Sequence, residues 1–145
     1  MAAYYKTLGQ TLSDALENLF EKYGFYQERT LDFYFDMPGG QKKITAMMEN
    51  LRNCPPTALA KDPVITWRDY KIGKIFDNVT GNDRSTELPL SDILYFSTQH
   101  CDTIIRPSGT EPKLKIYLLA KSRDRITSKN LLEGYESSIR AIMDI

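Results

Sequence analysis

Apolar and polar positions along the chain set out two helices and a strand before residue 60. Leu12, Ala15, Leu16, Leu19, Phe20 and Tyr23 recur every three or four residues, the spacing of one apolar helix face. Thr11 and Asp14 stand at capping-box spacing, where each satisfies a free N–H at the helix start. Gly24 is placed to end that helix. Thr30 to Phe35 has strand character, and Met37-Pro38-Gly39-Gly40 then breaks the chain. Ile44, Met47, Met48 and Leu51 mark a second amphipathic helix that stops at Cys54-Pro55-Pro56. Its methionines read as core filling.

From Tyr70 the period changes to two. Strands are predicted over Tyr70 to Phe76, Ile93 to Thr98, Thr103 to Arg106 and Lys113 to Ala120, the first with imperfect alternation. The last is the clearest, with Leu114, Ile116 and Leu118 on one face and Lys113, Lys115 and Tyr117 on the other. Val79 to Arg84 reads as an exposed loop and Gln99 to Asp102 as a turn. A final helix starts near Thr127 or Ser128 and buries Leu131, Leu132, Tyr135, Ile139 and Ile142. Runs of strands with short links, flanked by helices, predict an α+β fold. The expected architecture is an antiparallel sheet of about four strands flanked by helices, with an N-terminal helical appendage.

Composition narrows the function classes. The 145 residues suit one compact domain. Lys+Arg and Asp+Glu are both 19, and this balance argues against a nucleic-acid partner. No apolar run approaches the roughly 20 residues that cross a bilayer, so no membrane partner is expected. The first residues lack the apolar core of a secretory signal, which predicts a cytoplasmic protein. Cys54 and Cys101 have no metal spacing and read as free thiols. His100, Cys101 and Asp102 have the chemistry of a catalytic trio, but sequence neighbours point in different directions; a polar turn is the expectation.

The stretch with most chemistry is Arg106-Pro107-Ser108-Gly109-Thr110-Glu111-Pro112, between two strand patterns. Arg106 offers a planar fork for two oxyanion oxygens, and Ser108 and Thr110 add hydroxyls. Gly109 permits backbone conformations closed to other residues, so that successive N–H groups line a concave nest. Pro107 and Pro112 stiffen both ends. Lys113 and Lys115 follow and are expected to raise the local potential. By composition alone the segment stays open between a tight loop and an anion site. It lacks the glycine-to-Gly-Lys-Ser/Thr spacing of the nucleotide-binding loop.

RPSGTEPKLKIY resembles the signature of the last domain of the α-D-phosphohexomutases, the family of phosphoglucomutase and phosphomannomutase. Arg106, Ser108, Gly109 and Thr110 match the family's phosphate-contacting positions. GGQKKITAMMENLRNCPP and LPLSDILYF resemble the first helix and second strand of that domain in the phosphoglucomutase branch. LENLFEKYGFY resembles the end of the preceding domain.

The resemblance implies a TATA-binding-protein-like fold, with residues 1–35 the tail of the third mutase domain and 36–145 the C-terminal phosphate-binding domain. It implies an enzyme of four domains, an intramolecular phosphotransferase of carbohydrate metabolism. A phosphoserine in the first domain donates to a hexose phosphate, glucose 1-phosphate or 6-phosphate, through a bisphosphate intermediate. The loop matching Arg106 to Thr110 would hold the phosphate not being transferred, a positioning role. The family's Thr-Ala-Ser-His-Asn-Pro, Asp-Gly-Asp-x-Asp-Arg and Gly-Glu-x-Ser-Gly loops are absent from this sequence. No catalytic residue, metal ligand or cofactor is therefore expected here, and magnesium belongs to the parent enzyme. The fragment alone is expected to be inactive, and its sugar preference is not legible. The Leu12 to Tyr23 stripe is expected to pack on the third domain, one of the other domains of the parent chain, and in the fragment to pair in a truncation-induced dimer or fold back onto its own domain. The alternative is a free-standing module that binds phosphorylated ligands.

Overall fold

The computed structural model describes residues 1–36 and 38–145, so Met37 of the predicted chain break lies outside the described residues. In chain order the elements are α1 (Ala2–Thr7), α2 (Leu12–Tyr23), β1 (Phe25–Tyr34), α3 (Gly40–Asn53), β2 (Ala58–Leu59), β3 (Asp62–Pro63) and β4 (Thr66–Asp69). They continue with β5 (Lys74–Asp77), β6 (Asp83–Ser85), β7 (Leu94–Ser97), β8 (Cys101–Pro107), β9 (Lys113–Ser122) and α4 (Arg125–Met143). A seven-stranded sheet has the order β1-β9-β8-β7-β4-β5-β6, with every neighbouring pair antiparallel. β2 and β3 form a separate hairpin.

The α+β class and antiparallel sheet are as the sequence predicts, but the sheet holds more strands than the expected four. Tyr70 to Phe76 is not one strand: β4 ends before it, and the chain turns through Gly73 at φ +68° into β5. That reversal accounts for the imperfect alternation. β6 closes the predicted Val79 to Arg84 loop as a fully exposed edge strand, with no burial to leave a pattern. β1 starts five residues before the predicted strand and pairs along all ten residues with β9. The expected division at residue 35 thus falls one residue after an edge strand of the main sheet.

Alternation in β8 and β9 divides the molecule into two faces. Cys101, Thr103 and Ile105 of β8 and Leu114, Ile116, Leu118 and Ala120 of β9 are buried. They meet Ile44, Met48 and Leu51 of α3 and Leu132, Tyr135 and Ile139 of α4. Burial of each large apolar side chain contributes roughly 1.5–3 kcal/mol, so this layer is the core. Met47 and Met48 lie in it, as core filling requires, whereas Ile142 is 41% exposed and Met143 is buried in its place. Both helices cover one face; Arg106, Lys113, Lys115 and Tyr117 project from the other. At the N-terminus, the Thr11–Asp14 capping box forms, but Leu12, Leu16, Leu19 and Tyr23 are each about half exposed. Ala15 is buried and Phe20 stacks on Phe25 at 5.0 Å, so the open part of the stripe is these four side chains.

Candidate functional site

The connection from β8 to β9 is fixed by its backbone. Ser108 N donates to Lys113 O at 2.8 Å, and Lys113 N donates to Glu111 O at 2.7 Å. Phe35 N, just past β1, donates to Pro112 O at 2.8 Å, pinning the far leg of the loop to the edge strand. Gly40 explains how that pin is packed. A Cβ on Gly40 would sit 1.9 Å from Phe35 O, so only glycine lets α3 begin against this carbonyl.

The side chains of the loop contrast with its backbone. Arg106, Gly109 and Thr110 are exposed and Ser108 is half-buried. Among the described residues, the Arg106 guanidinium and the Ser108 and Thr110 hydroxyls make no hydrogen bond or ion pair. Three donors on a pinned backbone thus remain available to a ligand. Gly109 differs from the sequence expectation, since it is not among the positive-φ glycines. A Cβ there would meet nothing within 4 Å. What Gly109 supplies is an amide with no side chain over it.

Lys113 and Lys115 are engaged rather than free. Lys113 pairs with Glu111 at 2.9 Å, and Lys115 leans toward Asp32 at 3.9 Å. Asp32, Lys115 and Arg106 form one row across β1, β9 and β8. Asp32, at the end of the row, offsets part of the repulsion between Lys115 and Arg106. Hydrogen bonding to Lys113 holds the Glu111 carboxyl below its ordinary value, and the same bond holds the Lys113 ammonium above its own.

The other sequence candidate, His100-Cys101-Asp102, comes apart in the structure. His100 Nδ1 donates to Asp62 Oδ2 at 2.8 Å, and the buried Tyr135 hydroxyl donates to the same oxygen at 2.6 Å. Tyr135 also bonds the Thr98 hydroxyl. Cys101 points into the core, where burial pushes its thiol up to about 12. Asp102 lies on the open face and accepts from Ser97 Oγ at 2.6 Å. Cys54 and Cys101 are both free thiols. No nucleophile with an attached base results.

A cavity of about 810 Å³ lies at this same end of the sheet, between Phe20, Tyr23, His100, Lys121 and Asp124. It shares no residue with the Arg106 loop. Among the described residues, no group of three or more His, Cys, Asp or Glu is placed to hold a metal ion. No described helix is long and apolar enough to cross a membrane.

Residues 71–128, which include the whole loop, match the family described as the phosphoglucomutase/phosphomannomutase C-terminal domain. Over those residues the chain is similar to that domain. The phosphoglucomutase of Staphylococcus saprophyticus is 33% identical over 86% of this chain and 24% of its own length. That of Staphylococcus haemolyticus is 34% identical over 78% of the chain and 21% of its own length. The chain thus spans about a quarter of the length of the curated relatives it matches. A solved structure of parafusin, an exocytosis-sensitive phosphoprotein and phosphoglucomutase of Paramecium, superposes in its open form with a TM-score of 0.52. The match covers 92% of this chain and 23% of that one at 15% identity, which shows a shared fold. Two residues that contact Lys113 at the far leg of the loop, Tyr34 and Glu111, were not singled out by the sequence. Tyr34 reaches the loop only through the β1–β9 register.

Proposed function

We propose that this chain is the phosphate-gripping domain of a cytoplasmic phosphohexomutase of the phosphoglucomutase branch. In this reading Arg106 holds two oxygens of a hexose phosphate with its planar fork, while Ser108, Thr110 and the Gly109 amide take the rest. The phosphate so held is the one not being transferred. Exchange of the other, through a bisphosphate, takes place on domains outside residues 1–145. The carrying observation is the conjunction of a backbone-pinned loop and three unbonded donors within the family-matched residues. Charge-assisted hydrogen bonds contribute about 1.5–3 kcal/mol each. After the loss of ligand freedom, millimolar affinity for phosphate alone, on the order of −4 kcal/mol, is the expected residue.

Residues 1–35 belong, on this proposal, to the tail of the preceding domain, and the exposed α2 stripe packs on the rest of the parent enzyme. In the isolated chain the same stripe pairs with a second copy. Magnesium and the donor serine act in the parent, so residues 1–145 alone turn over no glucose 1-phosphate. A hybrid enzyme tests the reading, with this chain replacing the matching stretch of the Staphylococcus saprophyticus phosphoglucomutase. The hybrid is expected to be active. Arg106→Ala should lower its kcat/KM about a hundredfold or more while serine phosphorylation persists. Arg106→Lys should recover only part of the loss. Full activity in the alanine variant would refute the assignment.

A further inference from the structure

One ammonium on the far leg of the loop collects several contacts. Lys113 Nζ lies 2.9 Å from Glu111 Oε2 and donates to the Tyr34 hydroxyl at 3.4 Å. It also sits 5.0 Å from the centre of the Tyr34 ring, a cation–π distance. Lys113 and Tyr34 are direct partners across β9 and β1, and the Lys113 side chain is only 12% exposed. A lysine whose charge served a ligand would extend into water beside Arg106; this one is folded back onto the edge strand. Two of the three backbone hydrogen bonds that close the loop also involve Lys113, Ser108 N to Lys113 O and Lys113 N to Glu111 O, and the third, from Phe35 N, ends on the adjoining Pro112 O.

Glu111 sharpens the point. A carboxylate three residues from Ser108 repels any bound phosphate, so simple charge arithmetic makes it a liability at this position. Its place is accounted for if its contribution is to fix Lys113. Resting on the phosphate reading of the loop, we propose that Glu111, Lys113 and Tyr34 are positioning residues. Together they brace the loop in the shape that accepts phosphate, and Lys113 is not itself a phosphate ligand. A braced loop loses less conformational freedom on binding, which raises affinity without adding a contact.

Bracing and charge predict opposite signs for one substitution. Glu111→Gln removes a negative charge, so electrostatics alone tightens phosphate binding, whereas loss of the brace weakens it. The experiment titrates inorganic phosphate into the 145-residue chain by NMR at fixed ionic strength and follows amide hydrogen exchange in residues 108–113. Glu111→Gln and Lys113→Met are each expected to weaken binding about three- to tenfold and to speed exchange across the loop. Tyr34→Leu should do the same, and Lys113→Arg, which can still pair with Glu111, should stay within about twofold of the unaltered chain. Tighter binding in Glu111→Gln with unchanged exchange would overturn the brace. So would binding that Arg106→Ala abolishes but none of the brace variants alters. Failure of the unaltered chain to bind phosphate at all would instead overturn the phosphate reading, and the positioning role with it.

Discussion

At one end of β8 the chain turns through Thr98 to Cys101, and at the other through Pro107 to Pro112. Both turns are polar and both carry residues used in catalysis elsewhere. In the first, His100, Asp62, Tyr135 and Thr98 are bonded to one another, so their polar groups are occupied by the fold. In the second, the backbone is pinned while Arg106, Ser108 and Thr110 keep their side chains free. A site needs both conditions, fixed geometry and unbonded donors. Only the second turn meets them.

Substitutions at the two turns should therefore separate binding from stability. Arg106→Ala is expected to weaken phosphate binding by about 10- to 150-fold, the loss of a charge-assisted hydrogen bond. Its thermal midpoint should match that of the unaltered chain, since among the described residues the exposed guanidinium makes no hydrogen bond or ion pair. Calorimetry and phosphate titration on the same samples check both halves. Tyr135→Phe should reverse the pattern. It strips a buried partner from Asp62 and Thr98 and should cost about 1–3 kcal/mol in urea unfolding, with phosphate affinity unchanged.

A smaller effect comes with pH. Burial alone would raise the Asp62 carboxyl, but the hydrogen bonds from Tyr135 and His100 outweigh it and hold the group below its ordinary value. A carboxylate depressed in the folded state contributes stability above its unfolded pKa and loses it as pH falls through the folded one. Melting temperature should thus hold through neutral pH and fall below about pH 4. Asp62→Asn should flatten part of that fall. An Asp62→Asn chain with an unaltered acid limb would show that the turn draws little from this carboxylate. The smallest expected effect is at Gly109. An added methyl meets open space, so Gly109→Ala should leave stability within about 0.5 kcal/mol. It should still lower phosphate affinity severalfold by covering the amide.

The sequence made the helix-covered face readable because burial there imposes period. The β9 alternation and the α3 stripe stand where the pattern places them, and the exposed Thr11–Asp14 box was legible from its capping spacing instead. Where burial is absent the signal fails: β6 is wholly exposed, and α1 buries no residue and was not anticipated. The start of α4 was legible only to within two or three residues, since its cap is Asp124 rather than a residue beside Thr127. At the loop, residue types and order were enough to find Arg106, Ser108, Gly109 and Thr110. Its support was not legible. Tyr34 and Lys113 are 79 residues apart and meet only through strand register, and the Gly40–Phe35 approach is equally invisible to local pattern.

The most direct test of the account is a residue-by-residue NMR map of inorganic phosphate binding to the 145-residue chain. The account predicts millimolar binding with shifts confined to residues 106–115 and the β1 end around Tyr34, silence at residues 98–102, and loss of all shifts in Arg106→Ala. Shifts centred on His100 and Lys121, or a map unchanged by Arg106→Ala, would contradict it.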